Sequence, residues 1–445
     1  MDKKAIYAII VVVILIVAAV SAYVVISNDD DGGNEPTVMD EAELKVYGNI
    51  NGDRYLDASD ASLIQQLIED GATAEEYPLA DTNMDGTLDS DDVSIINDVV
   101  AGKQATVWHY NYHDVDGDSV MDEELVSTTF PITSCIISAS SNTSLMCFVL
   151  GIIDEVKGAA YSATSMDAAL YGNNFMDTSK VEKIGTSAMK IAFEDGKVGS
   201  SDIIATEHVT ALITDWNRSY ITNQSDFENA SIDVIRTAGA STDPEVITHS
   251  LMLMGLLFDK VDRADAYLNL NLQILDYVEG AVSGADAANI VVCSSTGGIS
   301  GPNSDYTTIA ELAGGKYALD DKVDFAGSTS IKIEEHPEIY TYDIDYILHL
   351  RTSVNYSQDP VKIAENYAEY TEAFADWQYA DTNQYMISGS IPATLRVAYT
   401  TTVLHSDLVD IDKINDYHQQ LVDQFYNGLE FDISEMTFVV GPDTF

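Results

Sequence analysis

The sequence predicts an α/β protein: two α/β lobes joined by one long helix, preceded by a small all-α domain of paired loops and an N-terminal transmembrane helix. Three observations carry this. From about Ala105, short β-rich runs alternate with helical stretches, the signature of βα units in parallel sheets. After Pro244, up to about Ser283, there is no proline and little glycine, and apolar residues recur every three to four positions. Between Tyr47 and Lys103 the chain nearly repeats itself. At 445 residues and 46% hydrophobic composition, it has material for at least two packed domains of ~100–200 residues each.

Composition narrows the function classes. The chain carries 73 acidic against 21 basic residues, a formal net charge of -52. A nucleic-acid partner is excluded, because a phosphate backbone needs basic patches, and adhesion to an anionic membrane surface is disfavoured. Aromatic content of 9%, with 25 Tyr, rules out a mostly disordered acidic tail. Three cysteines are too few for a disulfide framework. Cys135 and Cys147 lie close enough in sequence to pair, which would leave Cys293 over; all three read as small core residues.

The first element is the apolar run Ala5 to Ile26, 22 residues, long enough to span a bilayer of ~30 Å. Lys3 and Lys4 precede it and Asp29 to Asp31 follow, so the positive-inside rule places the bulk of the chain outside the cell membrane, held by a single pass. A cleaved signal peptide is the competing reading, with Val20-Ser21-Ala22 as processing site, although signal apolar regions usually run ~7–15 residues. Residues 1–30 are thus anchor (or signal) and tether, and Ser27 to Thr37 continues as a charged, glycine-bearing linker.

Residues 38–104 form the paired-loop domain. In the second copy, Asp81, Asn83, Asp85, Asp89 and Asp92 stand at loop positions 1, 3, 5, 9 and 12. Gly86 holds position 6, and Thr87 offers its backbone carbonyl at position 7. Hard oxygen donors at alternate positions converge on Ca²⁺ because the loop wraps around the ion. In the first copy Asn49, Asn51, Asp53, Asp57 and Asp60 repeat the pattern with Tyr55 at position 7, but Arg54 stands at position 6. A non-glycine residue at positive φ costs roughly 1 kcal/mol, so the first of the two calcium sites is expected to be the weaker. Two such loops, each closed by Asp and followed by an apolar-striped helix, resemble a type I dockerin module. The resemblance implies folding on calcium and docking to a cohesin-bearing protein. The positions that guide partner choice in that family are Ala58-Ser59 and Ser90-Asp91, which differ between the copies. The alternative is that Ca²⁺ only staples a spacer. A further acidic run, Asp114 to Asp118, has Leu125 at position 12 and reads as the turn of a β-hairpin.

The α/β material follows as lobe 1 (105–243), the linking helix (244–283) and lobe 2 (284–445). Strand candidates are Ser134–Ile137, Ile203–Ala205, Ala288–Cys293, Tyr346–Leu350 and Gln384–Ile387. Pro244 suits the first turn of the long helix, with Asp243 as its cap. The segments ITSCIISASSNTSLMCFVLGIIDEVKGAAYS, ANIVVCSSTGGISGPNSDYTTIAELAGG and IPATLRVAYTTTVLHSDLVDIDKINDYHQQLVDQFYNGL resemble, in order and spacing, the helix-linked solute-binding proteins of ABC importers for iron-siderophore, cobalamin and heme. The chain departs from that pattern at Ser141, where a proline is usual, and in lacking an N-terminal lipid cysteine. The resemblance implies an ABC permease as partner and an iron chelate, corrinoid or heme as ligand.

In open α/β sheets, ligands sit outside the carboxyl ends of the strands. That rule selects Ser140, Ser141, Asn142, Tyr161, Ser162, Thr206 and Glu207 from lobe 1. From lobe 2 it selects Ser295, Thr296, Gly297, Tyr306, Arg351 and Thr352. Asn142 could equally cap a helix. Arg351 suits an anionic group or a salt bridge to a neighbouring Asp. His349 alternates with apolar residues and reads as a core histidine; Trp216 and Trp377 suit either stacking on a ligand or packing. No P-loop, HExxH, GxSxG or GxGxxG is present, so the expectation is a binder and not an enzyme. The alternative is a cell-surface interaction protein scaffolded through the paired loops, with a carbohydrate-related role.

Overall fold

The computed structural model describes residues 42–445, apart from 118–119, 139–140, 161–180, 186–199, 222, 321, 326–327, 353, 357, 427–428 and 445. For Ser141, Lys183, Ser200, Ser201, Asp202 and Arg351 only the backbone is described. The expected membrane span lies outside these residues. Among the described residues no helix is long and apolar enough to cross a membrane.

Each repeat of the paired module is a loop closing onto a helix: α1 (Ala58–Glu69) and α2 (Ser90–Val100). Both helices start with the same reciprocal cap. Asp57 and Asp89 accept from the following turn, while Asp60 and Asp92 reach back to the cap residue's own amide. Ile64 and Ile96 are fully buried in the module's small core.

A β-hairpin follows, β1 (Ala105–His113) paired antiparallel with β2 (Asp122–Phe130), as the acidic turn between them predicted. The module is bound to this hairpin by the backbone. Val46 bridges His109, and the Tyr47 amide donates to the Trp108 carbonyl at 2.8 Å. Residues 42–445 are accordingly one compact unit.

Lobe 1 comprises β3 (Cys135–Ser138), α3 (Ser141–Val149), β4 (Val156–Ala160), β5 (Glu182–Gly185), α4 (Ser200–Thr206), β6 (Ala211–Asp215), α5 (Gln224–Asn229) and β7 (Asp233–Thr237). The strands form a parallel sheet in the order β5-β4-β3-β6-β7. Ile203–Ala205, expected as a strand, is helical. Ile203 and Ile204 pack on the sheet from α4, and the wholly buried strand is the next apolar run, Ala211–Asp215. A three-residue apolar stretch fits either period, and here only the sheet pairing decides.

The expected single linking helix is two helices, α6 (Pro244–Leu257) and α7 (Val261–Val282). Its start is as expected: Pro244 opens the first turn, and Asp243 Oδ1 accepts from the amides of Glu245 and Val246 at 2.9 and 3.3 Å. The break has no proline. Asp259 takes φ +55°, a left-handed conformation that Asp tolerates better than most residues. The amides of Phe258, Asp259 and Lys260 fold back on the carbonyls of Met254, Leu256 and Gly255, as in a Schellman-type close. Gly255 makes the elbow fit, since a Cβ there would come within 2.5 Å of the Ala264 Cβ. Gly255→Val is therefore expected to cost about 1–3 kcal/mol through overpacking. Urea unfolding checks it, and an unchanged midpoint would mean the elbow opens freely.

Lobe 2 contains β8 (Ala288–Ser295), β9 (Gly298–Ser300), α8 (Asp305–Leu312), β10 (Gly315–Tyr317), β11 (Ser330–Lys332), β12 (Tyr346–Thr352), α9 (Pro360–Glu372), β13 (Gln384–Ser388), α10 (Ala393–Leu404), α11 (Ile411–Phe425) and β14 (Val439–Val440). The sheet order is β11-β9-β8-β12-β13-β14, with β10 also on β8; β10, β8, β12 and β13 run parallel and the edges antiparallel. Cys135, Cys147 and Cys293 are buried and free, and burial pushes all three thiols up. His349 is buried against the Gln384 amide oxygen at 3.2 Å, with burial holding it neutral, down at about 4. Trp377 belongs to the lobe 2 core.

Candidate functional site

Residues at the carboxyl ends of β3, β6 and β7 in lobe 1 and helix α8 of lobe 2 line one cleft of about 350 Å³. From lobe 1 come Asn142 after β3, Asp215 and Trp216 at the end of β6, and the loop Ala238–Asp243 after β7. Lobe 2 contributes Asp305, Thr308, Ile309 and Leu312 of α8, and Met121 of the hairpin reaches the rim. A narrow adjoining recess shares Asn142, Ala240 and Ser241 with it. It has Tyr267 and Asn271 of α7 along its wall and the turn Gly389–Pro392, with Arg396, opposite.

Three charged groups set its electrostatics. Burial pushes the Asp215 carboxyl up to about 6; the Asn217 amide (3.2 Å) and Asn142 Nδ2 (3.5 Å) pull it back, Asp305 across the cleft adds to the rise and Arg236 opposes it. Asp305 is open to the cleft's solvent, yet the protein around it raises its carboxyl against the pull of Arg396. Arg396 donates through Nε to the Ile391 carbonyl at 3.0 Å. Among the described residues its two terminal nitrogens hold no hydrogen-bond partner. Desolvation lowers its pKa, and Tyr306 and Asp305 work against that. Arg236, only 1% exposed, sits behind the wall, donating to Gln224 Oε1 (2.8 Å) and to the Asp215 and Asn217 carbonyls (3.1 and 3.4 Å).

Of the residues selected from the sequence, Asn142 lines the cleft, and Tyr306 lies close enough to Arg396 to act on its charge. Trp216 lines it too. Ser140, Tyr161 and Ser162 fall outside the described residues, as do the side chains of Ser141 and Arg351. Thr206 and Glu207 are misplaced by the strand error. They close α4 at the amino edge of the sheet, where the Glu207 carbonyl accepts from Ser134 Oγ at 2.8 Å. Ser295, Thr296 and Gly297 form the tight β8–β9 turn with Gly297 at φ +62°. Thr296 is tied to Glu369 (3.2 Å) and Lys332 (3.1 Å). Thr352 is buried and donates to the Ile387 carbonyl at 2.7 Å, a bond within the sheet. The sequence reading missed Asp215, Asp305 and Arg396. Asp305 and Arg396 stand in helices that follow a strand and turn, and Asp215 ends the apolar strand β6, which was hidden by the rival strand at Ile203.

The paired loops are held together by hydrogen bonds among their own side chains and amides. In the second, Asp81 accepts from the amides of Asp85 (3.1 Å) and Gly86 (2.9 Å), Asn83 from Asp85 (2.8 Å), and Asp85 from Thr87 (2.8 Å). Asp92 accepts from Thr82 Oγ1 (3.1 Å), Asn83 (3.3 Å) and Asp89 (2.9 Å). In the first, Asp60 accepts from the amides of Ile50 (3.0 Å), Asn51 (3.4 Å) and Asp57 (3.0 Å). Burial raises its carboxyl to about 6 against those bonds, with Asp53 adding to the rise. The strain expected at Arg54 is absent. The left-handed residue of the first loop is Gly52 (φ +71°), whereas the second uses Met84 (+57°) and Gly86 (+85°). The order of the two sites then rests on charge, with three carboxylates (Asp53, Asp57, Asp60) against four (Asp81, Asp85, Asp89, Asp92). Among the described residues no three His, Cys, Asp or Glu side chains are grouped so as to hold a metal. The donor set nonetheless suits a hard cation with mixed carboxylate, amide and carbonyl oxygens. Asn49 Oδ1, at position 1, is buried without a hydrogen-bond partner.

No protein-family profile and no curated protein matches the chain. Solved structures do. A TroA-like periplasmic binding protein, FepB, from Veillonella parvula is 12% identical over 72% of this chain and 97% of its own, with a TM-score of 0.54. The molybdate periplasmic binding protein MolA of a Haemophilus influenzae ABC transporter is 11% identical over 69% and 97%, with a TM-score of 0.52. A periplasmic solute-binding protein from Veillonella parvula is 17% identical over 69% and 92%, with a TM-score of 0.50. At these identities the likeness is one of fold: this chain has the mixed α/β architecture of TroA-like periplasmic solute-binding proteins.

Proposed function

We propose that this chain is the extracytoplasmic solute-binding component of an ABC importer, anchored by its N-terminal helix, that captures a chelated iron (siderophore), corrinoid or heme and delivers it to the permease. The observation that carries it is the meeting of the carboxyl ends of β3, β6 and β7 with helix α8 of lobe 2 at one cleft, beside a recess walled by α7 and the turn after β13. The architecture shared with FepB and MolA supports it. Arg396, which lines the recess beside the cleft, takes the role first given to Arg351: it pairs with an anionic edge of the ligand, such as a carboxylate or catecholate. The paired loops hold two Ca²⁺ ions through Asn49, Asn51, Asp53, Tyr55, Asp57 and Asp60, and through Asp81, Asn83, Asp85, Thr87, Asp89 and Asp92, the second more tightly.

Native mass spectrometry of the full-length chain, released from detergent with Ca²⁺ present, tests both parts. A ferric siderophore, cobalamin and heme panel should leave one ligand per chain. Arg396→Gln should weaken retention of that ligand at least tenfold, the size of one lost charge-assisted contact. Two Ca²⁺ and no ligand from any class would overturn the transport reading. The second reading, a cohesin-bearing partner, draws on the exposure of Ala58, Ser59, Ser90 and Asp91. Capture by immobilised cohesin, with the cleft empty, would favour it.

A further inference from the structure

We infer that the ion in the first calcium loop sets the packing of helix α7, so that Ca²⁺ and the solute in the cleft bind cooperatively. The inference rests on the calcium and solute readings above and adds their coupling.

Tyr55 stands at position 7, where the loop offers its backbone carbonyl to the ion, so a bound ion fixes this residue's backbone. Its side chain leaves the loop. The hydroxyl donates to Asp265 Oδ1 at 2.8 Å, and Arg54 Nη2 pairs with the same oxygen at 3.1 Å. The Arg54 guanidinium also lies 5.6 Å from the Tyr55 ring centre, so the two side chains form one unit. Asp265 belongs to the first turns of α7 and is further tied to Asn269 at 2.9 Å.

The cleft begins one turn away. Tyr267 and Asn271, on the same helix, line the recess. Asn271 Oδ1 accepts from Thr394 Oγ1 of lobe 2 at 2.5 Å, and the Tyr267 ring packs edge-on against Phe425 at 5.1 Å. One side-chain contact and two to six residues of helix therefore separate the metal loop from groups that tie α7 to lobe 2 and line the recess. The second loop has no such link: among the described residues Asp81–Asp92 makes no hydrogen bond or ion pair to the α/β part. The coupling is thus assigned to one loop of the pair. An ion that orders Tyr55 lowers the entropy cost of ordering α7, and by linkage a solute that orders α7 tightens the ion.

Hydrogen exchange of α7 tests this without knowledge of the solute. In the full-length chain in detergent, amides of residues 261–275 should exchange about tenfold more slowly in Ca²⁺ than in EGTA, with native mass spectrometry counting the ions. Asp60→Asn, which disables the first loop, should abolish the difference, whereas Asp92→Asn, in the second, should keep it. Tyr55→Phe and Asp265→Ala should bind two ions and lose most of the α7 response; the first removes one hydroxyl and leaves the fold intact. Two bound ions with α7 exchange unchanged would overturn the coupling and leave the calcium reading standing. A chain that takes up no Ca²⁺ at the first loop would overturn both.

Discussion

Asp92→Ala is expected to lower the unfolding free energy by about 3 kcal/mol in EGTA, before any metal enters. The wild-type carboxylate is fully buried and accepts from Thr82, Asn83 and the cap amide of Asp89. Removing it leaves donors unsatisfied in a buried loop, at about 1–3 kcal/mol each where water cannot reach, and breaks the reciprocal cap of α2, worth about 1 kcal/mol. Asp92→Asn separates the two roles. The amide oxygen still accepts at Oδ1, so much of the EGTA stability should survive, while the rise in melting temperature on adding Ca²⁺ should shrink. Denaturant midpoints with and without Ca²⁺ read both effects. If Asp92→Ala lost less than 1 kcal/mol in EGTA, the loop would be water-filled and its hydrogen bonds of little weight.

Neutralising Asp215 should act in the opposite sense. The folded carboxyl holds its proton up to about pH 6, whereas an unfolded Asp releases it near ~3.9. Folding therefore favours the protonated form. The penalty for the charged form is complete above pH 6 and disappears as pH falls towards 4. Two units correspond to about 2–3 kcal/mol. Asp215→Asn should be more stable than wild type by about 2 kcal/mol at pH 7.5, the two converging near pH 4. Urea midpoints of the chain across that range measure the difference. A variant less stable than wild type at pH 7.5 would mean that the carboxylate is well paired in the cleft. The expected gain marks Asp215 as a group whose charge the fold tolerates at a cost, a common feature of binding sites.

The sequence by itself determined the features that depend on near neighbours. The cap at Asp243 is legible because a cap acts within three residues. The paired loops follow from oxygen donors at fixed spacing, and the hairpin from an acidic turn between alternating strands. The apolar strands Cys135–Ser138, Ala288–Ser295, Tyr346–Thr352 and Gln384–Ser388 announced parallel sheets. Only the tertiary structure decided the rest. The elbow at Asp259 exists because Gly255 lets α7 pack against α6, a contact with no local signature. Which of Ile203–Ala205 and Ala211–Asp215 became the strand depended on pairing with β3 and β7, and that choice carried Asp215 into the cleft and Thr206 and Glu207 away from it. Asp215, Asp305 and Arg396 stand 90 and 91 residues apart in the chain, and the influence of Asp305 on the other two comes from the two lobes meeting at a cleft. Periodicity and spacing are properties of short segments; the electrostatics of a site belong to distances that only the folded chain sets.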